Sequence, residues 1–406
     1  MNNANLKKRT ETFIWLLITV ALLLIQPRVI AQQQSNNPLA VEINSSDPVI
    51  PPGYGKRELS SFETYRIEKT IAELDHSAEE QLQQGNLDLA FELWYRQLKL
   101  IRAIDQEAEI EALGTIGAIA WKSNRGLDLR NIAERLITLE TEINSDKSLS
   151  LDLLKKLSRA YQQVRYLEQA IKIQTQINQV SRRQNNYNLA VEQTNLEALG
   201  ELYLAKFDYQ NAAKIYQKLL SLNDSAPSQS SNKPQTEKYL KTLIDIYDPT
   251  AQTKQAIATK KRLVKHYAAT GQSNQIPELE IAIARDHETL NQIPQAIASY
   301  NQTWRMADQT QQLAIADLAL TRLGQLHQQA EQIDQAIAAY SNLIKIQQQS
   351  YNYYGLINTY DILGQIYLKS NQKAQAQESF QEALKLAQSL NYKTDYFNNQ
   401  IKQIKE

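Results

Sequence analysis

The chain has 406 residues, 44 basic and 44 acidic, with 42% hydrophobic residues, 11 Gly, 10 Pro and no Cys. Balanced charge leaves no electrostatic footprint for nucleic acid, so no such partner is expected. The missing cysteine excludes disulfides, thiolate nucleophiles, zinc–thiolate sites and iron–sulfur clusters, and the scarcity of Gly and Pro suits long helices rather than a turn-rich β fold.

At the N-terminus, Lys7, Lys8 and Arg9 precede an apolar run from Phe13 to Ile25, and the chain turns polar at Gln26 and Pro27. That run is short of the roughly 20 residues a membrane-spanning helix needs but has the length of a secretory-signal core. Val29-Ile30-Ala31 fits a signal-peptidase site, so residues 1–31 are expected to be a signal peptide and the mature chain to begin at Gln32. The expected location is the periplasm or another extracytoplasmic space. The alternative is an uncleaved N-terminal anchor, and only then is a membrane a partner. No Cys follows the run, which excludes a lipoprotein anchor. Residues 32–62 are rich in Gln, Asn, Ser and Pro, with Pro38, Pro48, Pro51 and Pro52 opposing a helix, and are expected to form a disordered leader. Gly53-Tyr54-Gly55-Lys56 reads as a flexible turn before the first helix, with docking as the alternative.

The rest of the chain repeats itself. Leu363-Gly364, Tyr367, Asn371, Ala376, Phe380 and Ala383 recur as Leu323-Gly324, His327, Glu331, Ala336, Tyr340 and Leu343, and again as Ile283-Ala284, His287, Asn291, Ala296, Tyr300 and Thr303. Weaker copies follow Leu243, Leu199, Leu157 and Ile116, and Ala78, Gly85, Ala90 and Trp94 suggest a first, capping copy. The starts lie about 40 residues apart and give eight units.

This pattern resembles the tetratricopeptide repeat family in a long-unit form, whose helix-turn-helix unit carries Leu-Gly and Tyr on its first helix and a small Ala and an aromatic on its second. The resemblance implies an all-α, right-handed superhelical solenoid of about eight repeats, with N-terminal repeats over 63–220, an inter-repeat loop at 221–236 and C-terminal repeats over 237–406. It also implies a concave groove lined by first helices that takes a protein or peptide partner. Carried onto this chain, the groove positions are Lys155, Arg159, Glu197, Glu201, Lys241, Asp245, Ile281, Arg285, Thr321, Gln325, Asp361 and Gln365. Lys155 and Arg159 have no matching Asn, so the clamp by which some members grip a C-terminal carboxylate is not reproduced.

No catalytic, cofactor-binding or metal site is expected. His287 and His327 stand in the slot that holds Tyr in other repeats and read as packing residues, although a shared metal is the competing reading. Glu79-Glu80 and Glu278-Glu280 read as solvated helix faces, as does the basic run Lys260-Lys261-Arg262. Tyr351, Tyr353, Tyr354 and Tyr360 either line an inter-helix turn or offer an interface. The chain is thus expected to be an exported, non-enzymatic scaffold, with a polysaccharide-acting helical toroid and a peptide-binding regulatory sensor as the alternatives.

Overall fold

The computed structural model describes residues 37–41, 47–145, 150–184, 188–225 and 233–405. The expected signal peptide at 1–31 lies outside these residues. Among the described residues, all regular structure is helical and no helix is long and apolar enough to cross a membrane.

The chain divides into two compact units between Phe207 and Asp208. The first contains α1 (Ser61–Gln83), α2 (Leu87–Arg102), α3 (Gln106–Lys122), α4 (Gly126–Ser145), α5 (Leu151–Gln163), α6 (Leu167–Ser181) and α7 (Leu189–Ala205). The second contains α8 (Tyr209–Ser225), α9 (Lys233–Tyr247), α10 (Thr253–Thr270), α11 (Ile276–Thr289), α12 (Ile293–Gln309), α13 (Leu313–Gln329), α14 (Ile333–Gln349), α15 (Tyr353–Lys369), α16 (Lys373–Leu390) and α17 (Thr394–Lys405). The eight repeat starts read from the sequence fall on α1, α3, α5, α7, α9, α11, α13 and α15. The segment 221–236 is not a loop throughout, because residues 221–225 complete α8 and 233–236 open α9. Pro234 costs little there, since a first-turn residue has no intrahelical partner for its amide.

The turns share one chemistry. Most first helices end with a residue in the left-handed region, at Asn124, Arg165, Phe207, Ala251, Asn291, Glu331 and Asn371. At Asn291 the turn is closed by Asn291 N–H to Glu288 O (2.8 Å) and Gln292 N–H to His287 O (2.8 Å), the two bonds of a Schellman motif. The same pair recurs at Glu331–Gln332 and Asn371–Gln372. This explains why α12, α14 and α16 start at Gln with no side-chain cap: the preceding Schellman bond has already fixed the entry of the chain. Side chains cap other helices, with Ser60 and Glu63 forming a capping box at α1 and Asp105 capping α3, whereas Gln275 before α11 makes no cap bond.

Packing follows the repeated slots. Ala90, Ala170, Ala212, Ala256, Ala296, Ala336 and Ala376 are all buried, as thin helix crossings require. Across from them, a Cβ placed on Gly324 would come within 2.6 Å of the Tyr340 ring, and one on Gly364 within 2.6 Å of the Phe380 ring. These glycines are therefore space for an aromatic rather than sites of unusual backbone. One core runs through the first unit from α1 to Leu202 of α7, and others fill the second unit around Tyr300 and Tyr340 and around Phe380 and Phe397.

The leader departs from the disorder expected of 32–62. Where it is described, at 37–41 and 47–60, it packs on the first unit: Leu39 has no exposed surface and Ile50 is buried. Arg96 pairs with Asp47 (2.9 Å), and Arg66 donates to the carbonyl of Val49 (2.8 Å). Tyr54 joins the cluster around Ile50, Ile67 and Leu100, so the Gly53–Lys56 turn docks. The prolines rule out a helix, but they do not prevent Leu39 and Ile50 from adding apolar burial.

Candidate functional site

In the first unit, the expected groove residues Lys155 and Arg159 are exposed on α5, and Glu197 and Glu201 are half-buried and exposed on α7. In the second unit, Lys241, Asp245 and Arg285 are exposed, while Thr321, Gln325, Asp361 and Gln365 are half-buried. Ile281 does not belong with them. It is 5% exposed and part of the core around Tyr300, because an isoleucine at this position turns inward where a polar residue stays at the surface.

The surface positions of the second unit are tied by local bonds. Lys241 donates to Glu237 (2.7 Å) one turn earlier and sits 6.0 Å from the centre of the Tyr267 ring. Glu237 also accepts from Gln272 (3.2 Å), and the hydrogen bond from Lys241, against some burial, holds its carboxyl below the ordinary range. Burial, with Asp248 nearby, pushes the Asp245 carboxyl upward. Gln325 accepts from Arg322 (2.7 Å). Asp361 accepts from Tyr396 (2.9 Å), and Gln365 donates to Tyr396 (3.2 Å) and Gln400 (3.1 Å). α17 therefore stands against α15 as a further first helix, although no repeat was read there.

The histidines behave as packing residues. His287 and His327 are buried, and each ring Nδ1 donates to the amide oxygen of a glutamine at the start of the next helix, Gln292 and Gln332, both at 2.7 Å. Among the described residues, no three His, Asp or Glu side chains gather as metal ligands do.

Two acidic or basic positions differ from the solvated faces expected of them. Glu280 is buried, which pushes its carboxyl upward, and accepts from Gln302 (3.4 Å). Lys260 is buried and bridges Asp248 and Asp286, both at 2.8 Å. Its position explains this: it lies four residues after Ala256, in the slot of Tyr300 and Tyr340. Tyr300 donates to Glu288 (2.6 Å) and Tyr340 to Gln328 (2.7 Å), each twelve residues earlier, and Lys260 reaches Asp248 across the same interval. A polar residue in an aromatic slot is the signal from which this could have been found.

The first unit holds a polar cluster that the sequence reading did not reach. Glu109, wholly buried, accepts from Arg102 Nε (2.9 Å) and from Arg135 Nε and Nη2 (2.7 and 2.8 Å). Arg135 also pairs with Glu142 (3.1 Å). This cluster borders an open pocket of about 990 Å³ between α2, α3, α4 and the leader.

Paired helices with repeated small and aromatic slots define a helical-repeat protein built for packing along its length. Tetratricopeptide repeat profiles match residues 315–389 and residues 196–230, so these stretches are tetratricopeptide repeats, and the helix pairs beside them carry the same buried alanine slot. Among solved structures it is similar to BtubC (BKLC) from P. vanneervenii (16% identity, 55% of this chain and 92% of that one, TM-score 0.33). It is likewise similar to a putative kinesin light chain with nearly identical TPR-like repeats from Podosopora anserina (17%, 50% and 96%, TM-score 0.32). A third is aspartyl phosphate phosphatase F from Bacillus subtilis (16%, 69% and 76%, TM-score 0.32). No curated protein sequence matches the chain.

Proposed function

We propose that this protein is an exported scaffold that binds a protein or peptide partner along the exposed faces of its first helices and catalyses no reaction. The observation that carries the reading is the contrast on α9 and α11. Their Ala and aromatic neighbours are packed shut, while Lys241, Asp245 and Arg285 stay at the surface. Such a frame holds the helices in register and keeps charged positions at the surface, where they can specify a partner, chiefly through charge complementarity. The test uses a partner recovered with the purified mature protein from its own envelope fraction. The triple variant Lys241→Glu, Asp245→Lys, Arg285→Glu is expected to weaken its binding at least about tenfold, as charge reversal across an interface does, with unchanged thermal unfolding. Undiminished binding removes this face from the reading. Terminal sequencing tests export: Gln32 as the first residue supports a cleaved signal, and a membrane-bound form beginning at Met1 replaces it with an anchor.

A further inference from the structure

The contacts of residues 37–39 are those of a ligand seated in a receptor. The Asn37 amide uses both its ends: its oxygen accepts from Leu39 N–H (2.9 Å), and its nitrogen donates to the Asn131 carbonyl (3.1 Å) and to Glu134 (3.0 Å). An aspartate here would lack the donor and would set a second carboxylate against Glu134. Two residues on, Leu39 is fully buried in the core of the first unit, and its carbonyl accepts from Arg102 Nη2 (2.9 Å). Within the segment, one turn bond, Ala40 N–H to Asn37 O (3.0 Å), holds the backbone.

The receptor's ion pairs are made among its own helices. Arg102 and Arg135 are fixed on Glu109, and Arg135 on Glu142, all within α2, α3 and α4. The site is also larger than what fills it: with Asn37, Leu39 and Ala40 in place, the pocket of about 990 Å³ continues past them beside Gln106, Ile137 and Thr138.

We propose that the crevice of α2, α3 and α4 is a recognition site for an Asn-x-Leu type segment, filled in cis by Asn37-Pro38-Leu39 and available in trans to the same motif on another polypeptide. Asn131 and Glu134 read the amide, Arg102 holds the backbone and the apolar pocket takes the leucine. This site is separate from the first-helix face above, and neither reading depends on the other. A segment tethered by a short stretch of chain acts at an effective concentration on the order of millimolar. A partner in trans therefore competes with the leader, and occupancy depends on its release.

The test measures fluorescence anisotropy of a labelled peptide of residues 35–41 with the full chain. Leu39→Asp places a charge in the apolar pocket and Asn37→Ala removes the amide contacts, and each is expected to free the crevice. The peptide is expected to bind both variants at least about tenfold more tightly than it binds the wild type, as release of a tethered competitor implies. Adding Arg102→Ala to either variant, or placing Asp at position 37 of the peptide, is expected to abolish the gain. Equal or absent binding in the wild type and both variants overturns the proposal. So does a Leu39→Asp protein that fails to fold by circular dichroism, because the leader is then a fixed part of the core rather than a ligand.

Discussion

Lys260 shows how one slot accepts two chemistries. Its stem fills the space that Tyr300 and Tyr340 fill in later repeats, and its ammonium bonds where their hydroxyls bond. Burial works against its charge, but Asp248 and Asp286 outweigh that and hold it above the ordinary lysine value. Lys260→Tyr is expected to keep most of the stability, with the new hydroxyl donating to Asp248. Lys260→Ala, which leaves a void, is expected to cost about 1–3 kcal/mol; equal unfolding midpoints for the two variants would contradict the shared slot. A second residue sets a pH dependence. Burial opposes the charge on Glu288, yet Arg322 and Tyr300 hold its carboxyl below the usual range. Its contribution is present above the unfolded value, about 4.3, and is lost as pH falls through the lower folded value. Denaturant titrations below about pH 4.3 should therefore show wild-type stability falling more steeply than that of Glu288→Gln, and parallel curves would remove Glu288 from the account.

At the scale of elements, the helix pair is set by one contact, a side chain of the second helix lying on a small residue of the first. Gly364→Val forces two methyl groups towards the Phe380 ring, which already stands 2.6 Å from where a Cβ would be. The expected cost is about 1–3 kcal/mol, typical of overpacking. Ala376→Arg drives a long cation into the buried crossing of α16 at a cost of several kcal/mol, and unchanged thermal unfolding of that variant would show the register to be wrong. These slots were legible in sequence because Gly, Ala and the aromatics recur at one spacing. Ile281 was misplaced for the opposite reason: family position says where a residue stands along a helix, and the side chain's own hydrophobicity decides whether it turns inward.

The molecule as a whole divides at Phe207 and Asp208, between α7 and α8. Within the second unit, α8 and α9 pack through Tyr216 and Tyr239, with ring centres 6.0 Å apart, and Gln217 donates to Tyr247 (2.6 Å). A fragment starting at 237 would cut α9 after its first turn and bare the buried Tyr239 and Leu240. Residues 208–406 are accordingly expected to unfold cooperatively, with a midpoint at least about 5 °C above that of 237–406, since a chain of this length shifts by roughly 2–4 °C per kcal/mol. Equal midpoints would show that α8 adds nothing to the unit.

The sequence by itself determined the helical class, the eight repeat starts and the buried alanine slots, because a packed crossing tolerates so few residue types that the constraint is written at a fixed period. It also marked His287 and His327 as packing residues, by placing them in the tyrosine slot. Only the tertiary structure decided the rest. The leader is polar and rich in proline, and nothing local announces that Leu39 finds a pocket or that Asn37 meets Asn131 and Glu134 more than ninety residues away. Glu109 reads as an ordinary helical glutamate until α2 and α4 bring Arg102 and Arg135 to it. Such contacts depend on which side chains converge from distant parts of the chain, and periodicity along one helix carries no information about that convergence.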